Sequence, residues 1–512
     1  MEAFKQVKIL DCTLRDGGYY TNWDFEKEVL VQYAQAMNKL PIDFIEIGYR
    51  GKSSKEYLGE FYYCNKNTIS FIKKHAPNKK ISIMIDSKNT INSDINLLFK
   101  DINTDIQLVR IASSQENIQN TLELAKELKN IGITVAINIM YASKIDDKSE
   151  LHNHMDKINN VVDYLYLVDS YGGMLSDDVR NLFKKIKEKL KIGLGFHGHN
   201  NLEMAMANSL AALEGGATII DSTITGMGRG AGNLKTELLL TILKSKNLKD
   251  FKYSDLSNVT LTFTNICKKY NWGINYPYMI TGAHSLPQKD VMSLLSKRRY
   301  SFDTILRFLL TNKSISKDMP DLYKKDKEIN EIIIIGGGIS VTKHQKALSL
   351  FLKSNNKIGV LYSSSKNLNI LNTVKNKSYM CLVGDEYGKL NNKSFNINSI
   401  DYFLFPSNLM LSDYSFEELN VNKCFKVNTS NTKHKFIDSP LALAIQSCVN
   451  MNIKTIYITG FDGYTDGDVK SKEIHEETQK VLDYYNSKYD NIFSLTPSIY
   501  KKLKYKSIYS LT

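Results

Sequence analysis

Long apolar runs are missing: nothing in the chain approaches the ~18 consecutive apolar residues of a membrane-spanning helix, so no span is expected. Cysteine is scarce. The six cysteines, Cys12, Cys64, Cys267, Cys381, Cys424 and Cys448, lie far apart and form no CxxC pair. That spacing argues against a disulfide framework or a cysteine-rich zinc module, and dispersed thiols fit a reducing cytoplasm. The opening MEAFKQVKILD enters a strand at once and lacks a secretory-leader pattern, which again points to the cytoplasm. Arginine-rich tracts and aromatic–basic arrays are also absent. The formal charge of +13, from 67 basic and 54 acidic residues, comes from lysines scattered among Asn and Ile. Solvated lysine faces are the expected result; a nucleic-acid partner is not, although a basic surface favours anionic substrates.

What is present is enough for two or three domains in 512 residues. Short apolar, β-rich runs begin near Val7, Phe44, Ile81, Ile106, Thr134, Tyr164, Leu194 and Ile219. Stretches with helical spacing, such as EKEVLVQYAQAMNKL, lie between them. Eight βα units predict a closed (β/α)8 TIM barrel over residues 1–245, with a doubly wound open sheet as the alternative. Residues 246–315 read as a helical extension and 316–330 as a linker. EIIIIGGGIS then opens a C-terminal Rossmann-like α/β domain over 331–512.

In such a barrel the active site is built by loops at the C-terminal strand ends. Strand one ends in DCTLRDGGYY, which brings Arg15 and Asp16 to the mouth, and strand seven ends in HGHN. Period-two geometry puts His197 and His199 on one face. After strand eight, GMGRGAGN presents Asn233. Closure makes strands seven, eight and one neighbours, so Asp16, His197, His199 and Asn233 are candidate ligands of a divalent metal such as Mn²⁺ or Mg²⁺. The blander roles are an Arg15–Asp16 ion pair and a helix cap for Asn233. His152 and His154, also spaced His-x-His, sit in a polar stretch and read as surface residues. Other residues at the mouth are Glu46, Asp86, Arg110, Asn138, Asp169 and Ser170. Glu46 and Arg110 either pair inside the barrel or contact substrate, Arg110 gripping a carboxylate or phosphate in fork geometry.

DCTLRDGG, HGHN and GMGRGAGN, in this order, resemble the DRE-TIM metallolyase superfamily over about residues 5–300. The resemblance implies metal ligation by Asp16, His197 and His199, an additional ligand in Asn233, and an Arg15 that stabilises enolate charge. The loop TITGMGRGAGN has neither the cysteine of hydroxymethylglutaryl-CoA lyase nor the Glu–Arg pair of the condensing synthases. With VDSYGG after strand six, it is nearer the 4-hydroxy-2-oxovalerate aldolase pattern. Ser170 matches a substrate-contacting position of that pattern. Tyr19 stands where that aldolase carries a histidine, so the general base is open among Tyr19, Tyr20, Tyr278 and His284.

The implied reaction is formation or cleavage of a carbon–carbon bond next to a 2-oxo acid such as pyruvate, with an aldehyde partner and a metal-stabilised enolate. An acyl-CoA-dependent Claisen condensing enzyme and a bifunctional surface-sugar enzyme are the alternatives. In the second domain, GGGIS and DSPLALAIQSCVNMNIKTIYITGFDGY resemble the Rossmann-like domains of bacterial sialyltransferases and related proteins. That likeness implies a nucleotide or nucleotide-sugar at Gly336, Gly338, Ser340 and Asp462; a tight packing turn is the alternative. His475 reads as a helix histidine. Aromatic loops such as NYPYMI point to a homo-oligomer.

Overall fold

The computed structural model describes all residues except 1, 56, 103, 297–298, 312–319, 323–328, 372–373, 385, 392–396, 407–418, 429–435, 437 and 465–468. The chain forms two compact units, Met1–Val291 and Met292–Thr512. The helical stretch expected as a single extension therefore divides. Helices Tyr253–Tyr270 and Tyr276–Ala283 belong to the first unit, and helix Phe302–Thr311 to the second. Most of the expected linker, 316–319 and 323–328, lies outside the described residues. No helix among the described residues is long and apolar enough to cross a membrane.

The first unit is a closed barrel of eight parallel strands in chain order. They are β1 (Lys8–Asp11), β2 (Phe44–Tyr49), β3 (Lys80–Asp86), β4 (Leu108–Ser113), β5 (Thr134–Ile139), β6 (Tyr164–Asp169), β7 (Gly193–Gly198) and β8 (Ile219–Ser222). Closure comes from β1 pairing with β8 in the register Leu10 to Asp221 and Asp11 to Ser222. Both faces of these strands are buried, which is why they read as nearly unbroken apolar runs. Outward residues such as Ile45, Ile83, Val109, Ile137 and Leu167 join one large core with the helices.

Inside the barrel the alternation is apolar below and polar above. Phe44, Leu108, Ala136 and Ile219 belong to a small interior cluster. Two positions further along the same strands stand Glu46, Arg110, Asn138 and Asp221, all buried. The lower layer fills the barrel and the upper layer brings charge to its C-terminal end. Glycine at 195 makes room here, because a Cβ would press into the Tyr166 ring.

The second unit has a parallel sheet in the order β13-β12-β11-β10-β9-β14-β15-β16. Its strands are β9 (Glu331–Ile335), β10 (Ile358–Tyr362), β11 (Ser378–Cys381), β12 (Tyr402–Pro406), β13 (Cys424–Val427), β14 (Thr455–Thr459), β15 (Ile492–Ser494) and β16 (Lys504–Tyr505). Alternate residues of β9 feed two separate cores: Ile333 and Ile335 on one face, Ile332 and Ile334 on the other. Helix Gln345–Ser354 covers the first core through Leu348 and Leu352, and helix Pro440–Asn450 covers the second through Ala444 and Cys448. The chain reverses its direction of growth between β9 and β14, which makes that crevice the topological switch point.

A buried carboxylate anchors the start of the barrel. Asp11 accepts hydrogen bonds from the Thr13 hydroxyl at 2.6 Å, the Tyr33 hydroxyl at 2.6 Å and the Thr236 hydroxyl at 2.7 Å. Those partners tie β1 to helix Lys27–Lys39 and to helix Thr236–Ser245. Tyr33→Phe removes one donor to a buried charged group and is expected to cost about 1.5–3 kcal/mol. Urea unfolding of the full chain measures that loss, and a change below about 0.5 kcal/mol would show that the knot is not stabilising.

Candidate metal and active site

Asp16 lies one turn into helix Thr13–Thr21, directly after β1. His197 and His199 flank the end of β7. Asn233 reaches them because the loop after β8 folds back: it forms an isolated antiparallel bridge with His199, and its backbone N–H donates to Gly226 O at 3.0 Å. The fold of that loop depends on Gly232, at φ +78°, where a Cβ would also collide with the Gly226 carbonyl.

All four expected ligands are buried. Asn233 Nδ2 donates to Asp16 Oδ2 at 2.6 Å, and His197 Nε2 lies 3.6 Å from the same oxygen. His197 Nδ1 donates to Asp221 at 2.8 Å, and His199 Nδ1 donates to the Asp169 carbonyl at 2.8 Å. A carbonyl only accepts, so the His199 proton is on Nδ1 and its Nε2 lone pair is available, the form a metal ligand needs. Burial pushes the His199 imidazole down to about 3, so it stays neutral. Burial alone would raise the Asp16 carboxyl, but the Arg15 guanidinium, with His197 beside it, outweighs it and holds the group below its ordinary value.

This donor set passes a direct test of fit to a cation. The Asn233 Oδ1 atom is buried without a hydrogen-bond partner, on a residue 2% exposed. Buried polar atoms are rarely left unsatisfied, and a cation among these groups would take that oxygen. Cys12, Asp16 and His197 also bring one ligand atom each within 4.8 Å of one another. Sequence reasoning did not pick out Cys12 as a site residue. It continues the inward period of β1 from Leu10, which is the signal that marks it.

Behind the ligands runs a closed chain of charge. Asp221 accepts from His197 and from Arg110 Nη2 at 2.5 Å; Arg110 Nη1 stands 3.2 Å from Glu46; Glu46 accepts from Arg15 Nε at 2.7 Å; and Arg15 pairs with Asp16. Of the two roles open to Arg110 and Glu46, the geometry is that of the buried pair. Arg110 is 0% exposed, its Nε donates to Asn138 at 3.1 Å, and its guanidinium lies 4.0 Å from the Tyr166 ring centre. Asp221 was missed because an acid inside an apolar strand, IIDS, acquires meaning only when closure places Arg110 and His197 beside it.

The remaining expected residues separate. The Tyr19 hydroxyl meets that of Tyr49 at 2.8 Å, and Arg229 lies 4.2 Å over the Tyr19 ring. The Tyr20 hydroxyl accepts from Gly230 N at 3.1 Å; burial raises this phenol and that of Tyr278, so both stay protonated. His284 is exposed at the end of helix Tyr276–Ala283. Ser170, half-buried, accepts from Tyr141 N at 2.8 Å. His152 accompanies exposed Asp146 and Lys189 rather than the mouth.

At the switch point of the second unit, Gly336, Gly338, Ser340 and Asp462 do come together. Ser340 donates its backbone N–H to Asp462 Oδ2 at 2.9 Å and its hydroxyl to Oδ1. A Cβ at Gly338 would lie 2.5 Å from the same carboxylate, and one at Gly336 would lie 2.5 Å from Gly460 O. Asn367 donates to both turn carbonyls, Gly336 O at 2.7 Å and Gly338 O at 3.1 Å. The N–H expected to meet a phosphate is thus already bound to a carboxylate, and the glycines are accounted for by close packing. His475 stacks on Tyr500 at 4.6 Å.

The HMGL-like family model matches residues 6–268. A 4-hydroxy-2-oxovalerate aldolase of Geobacillus genomosp. 3 is 32% identical over 48% of this chain and 72% of its own length. One from Carboxydothermus hydrogenoformans is 30% identical over 47% of this chain and 71% of its own. A crystal structure from Bacteroides vulgatus, named "N-terminal domain of a putative aldolase", is 43% identical with a TM-score of 0.56, and covers 59% of this chain and 100% of that one.

Removing the Arg110 guanidinium leaves Glu46 with only Arg15, and Asp221 with only His197, to balance their buried charge. Arg110→Met is expected to destabilise the barrel by about 3–5 kcal/mol, the usual penalty for an uncompensated buried charge. Chemical denaturation checks this, and restoration of stability by adding Glu46→Gln and Asp221→Asn to the same chain would identify the cause as charge rather than volume.

Proposed function

Starting from a chain that belongs to the HMGL-like family of lyases, we propose that its barrel is a divalent-metal-dependent aldolase acting next to a 2-oxo acid such as pyruvate. The observation that carries this reading is the meeting of Asn233 and His197 at one Asp16 carboxylate oxygen, with the Asn233 amide oxygen left without a partner and a neutral His199 nearby. The likeness to 4-hydroxy-2-oxovalerate aldolases supports the same substrate class.

Asp16, His197, His199 and Asn233 would hold the ion, which would supply Lewis-acid polarisation of the 2-oxo group when bound. Arg15, fixed between Glu46 and Asp16, offers its guanidinium to the negative charge that develops on the 2-oxo oxygen as the bond breaks. Tyr19, with its hydroxyl against Tyr49 and its ring against Arg229, acts as a phenolate that accepts the proton of the substrate's C4 hydroxyl and later returns that proton to C3. The C3–C4 bond then breaks, its electron pair passes to the enolate, and the C4 carbon leaves as an aldehyde. Protonation of C3 gives the 2-oxo acid. Tyr20 and Tyr278, kept protonated by burial, serve packing and substrate contact.

Incubation of the full chain with Mn²⁺, pyruvate and a panel of aldehydes is expected to yield a 4-hydroxy-2-oxo acid by mass spectrometry, without CoA. Chelation should abolish the activity and Mn²⁺ restore it, and His199→Ala should lower kcat/KM at least about a hundredfold. Turnover of acyl-CoA with release of free CoA would replace this reading with a Claisen condensing enzyme.

Tyr19→Phe separates base from scaffold. Loss of a general base is expected to lower kcat about 10²- to 10⁴-fold with little change in KM. A kcat within about threefold of the parent would remove Tyr19 from the proton path.

A further inference from the structure

We propose that Cys12 is a sulfur ligand of the barrel's metal, so that this chain selects a borderline ion such as Zn²⁺ or Co²⁺ over Mg²⁺. The inference rests on the metal-site reading above and sharpens it.

Cys12 is wholly buried, and its side chain shares the barrel interior with Leu10 and Tyr166. Its Sγ lies 3.6 Å from Asp16 Oδ2, the oxygen that stands 3.6 Å from His197 Nε2. The three donor atoms fall within 4.8 Å of one another. Metal bonds of about 2.3 Å to sulfur and about 2.0–2.2 Å to nitrogen and oxygen require two ligand atoms on one ion to stand no more than roughly 4.5 Å apart. The two observed separations of 3.6 Å fall within that reach.

A second observation concerns the same group of residues. Asn233 Oδ1 is buried and unpartnered on the residue whose Nδ2 already contacts Asp16 Oδ2. As a thiol, Cys12 Sγ donates weakly to Asp16 Oδ2 and to the Ser222 carbonyl, both at 3.6 Å, and metal binding would replace the first of these contacts. Thiolate sulfur is a soft donor: it adds affinity for Zn²⁺, Co²⁺ or Fe²⁺ and almost none for Mg²⁺, which takes oxygen. On binding, the thiol proton leaves to solvent and a sulfur–metal bond takes its place.

The metal-free full-length protein, titrated with Co²⁺ alone, provides the test. One equivalent should bind and produce a near-ultraviolet sulfur-to-cobalt charge-transfer band. Cys12→Ser, checked for folding by circular dichroism, should bind Co²⁺ without that band. Its Zn²⁺ affinity should fall about ten- to a hundredfold while Mg²⁺ affinity holds. One bound Co²⁺ with no such band in the parent overturns the role of Cys12 and leaves the metal site standing. Failure to bind any divalent ion overturns both. If Cys12→Ser does not fold, X-ray absorption of the Zn²⁺-loaded parent decides. A sulfur neighbour at about 2.3 Å supports the proposal, since no other cysteine among the described residues lies in such a cluster. A shell of nitrogen and oxygen alone overturns it.

Discussion

Charge sealed inside a closed barrel must be balanced on the spot, and this requirement organises the mouth of the first unit. His197, Asp221, Arg110, Glu46, Arg15 and Asp16 alternate acceptor and donor around the interior. Isolated, each ion would carry a desolvation cost of several kcal/mol; linked, each has an opposite charge beside it, although Arg110 Nη1 and Asp221 Oδ1 still lack a hydrogen-bond partner. Orientation follows from the linkage. The imidazole of His197 is held by Asp221 and the guanidinium of Arg15 by Glu46, so both are fixed by the protein itself. Preorganisation of this kind is where enzymes obtain most of their electrostatic advantage.

The barrel itself was legible in the chain because strands buried on both faces leave dense apolar runs, and eight of them recur with helices between. Asp16, His197, His199 and Asn233 were legible as a group because three short motifs lie at the ends of strands that become neighbours on closure. Residues acting at one remove were harder to read. Asp221 and Arg110 are 111 positions apart and meet across the barrel, so neither strand alone signals the contact. Arg229 is similar: the glycine loop was visible as a loop, but its approach to Tyr19 depends on how that loop folds back.

Where the chain was read too simply, local pattern had competed with packing. Residues 246–315 carry helical periodicity throughout, yet helices up to Ala283 pack with the barrel and Phe302–Thr311 belongs to the second unit. Periodicity reports an amphipathic face and not the surface that receives it. The GGGIS turn likewise has the composition of a phosphate cradle, but Asp462, 122 positions away from Ser340, supplies the anion from within the protein. A glycine-rich turn specifies that something comes close; a ligand and a neighbouring loop leave the same trace.

An open parallel sheet has two borders, and each is an invitation to another chain. On one side of the second unit, Pro320–Leu322 lies along β13: Leu322 N–H donates to Lys426 O at 2.8 Å, and Lys426 N–H donates to Pro320 O at 3.0 Å. The opposite border, β16, is only two residues long, exposed, and accompanied by Lys502, Lys504 and Lys506. Lysines on so short an edge strand blunt pairing with another chain, although Lys504 is itself paired with Asp490 at 2.7 Å. The sheet therefore ends, on this side, in a short lysine-flanked strand that disfavours pairing with another copy of itself.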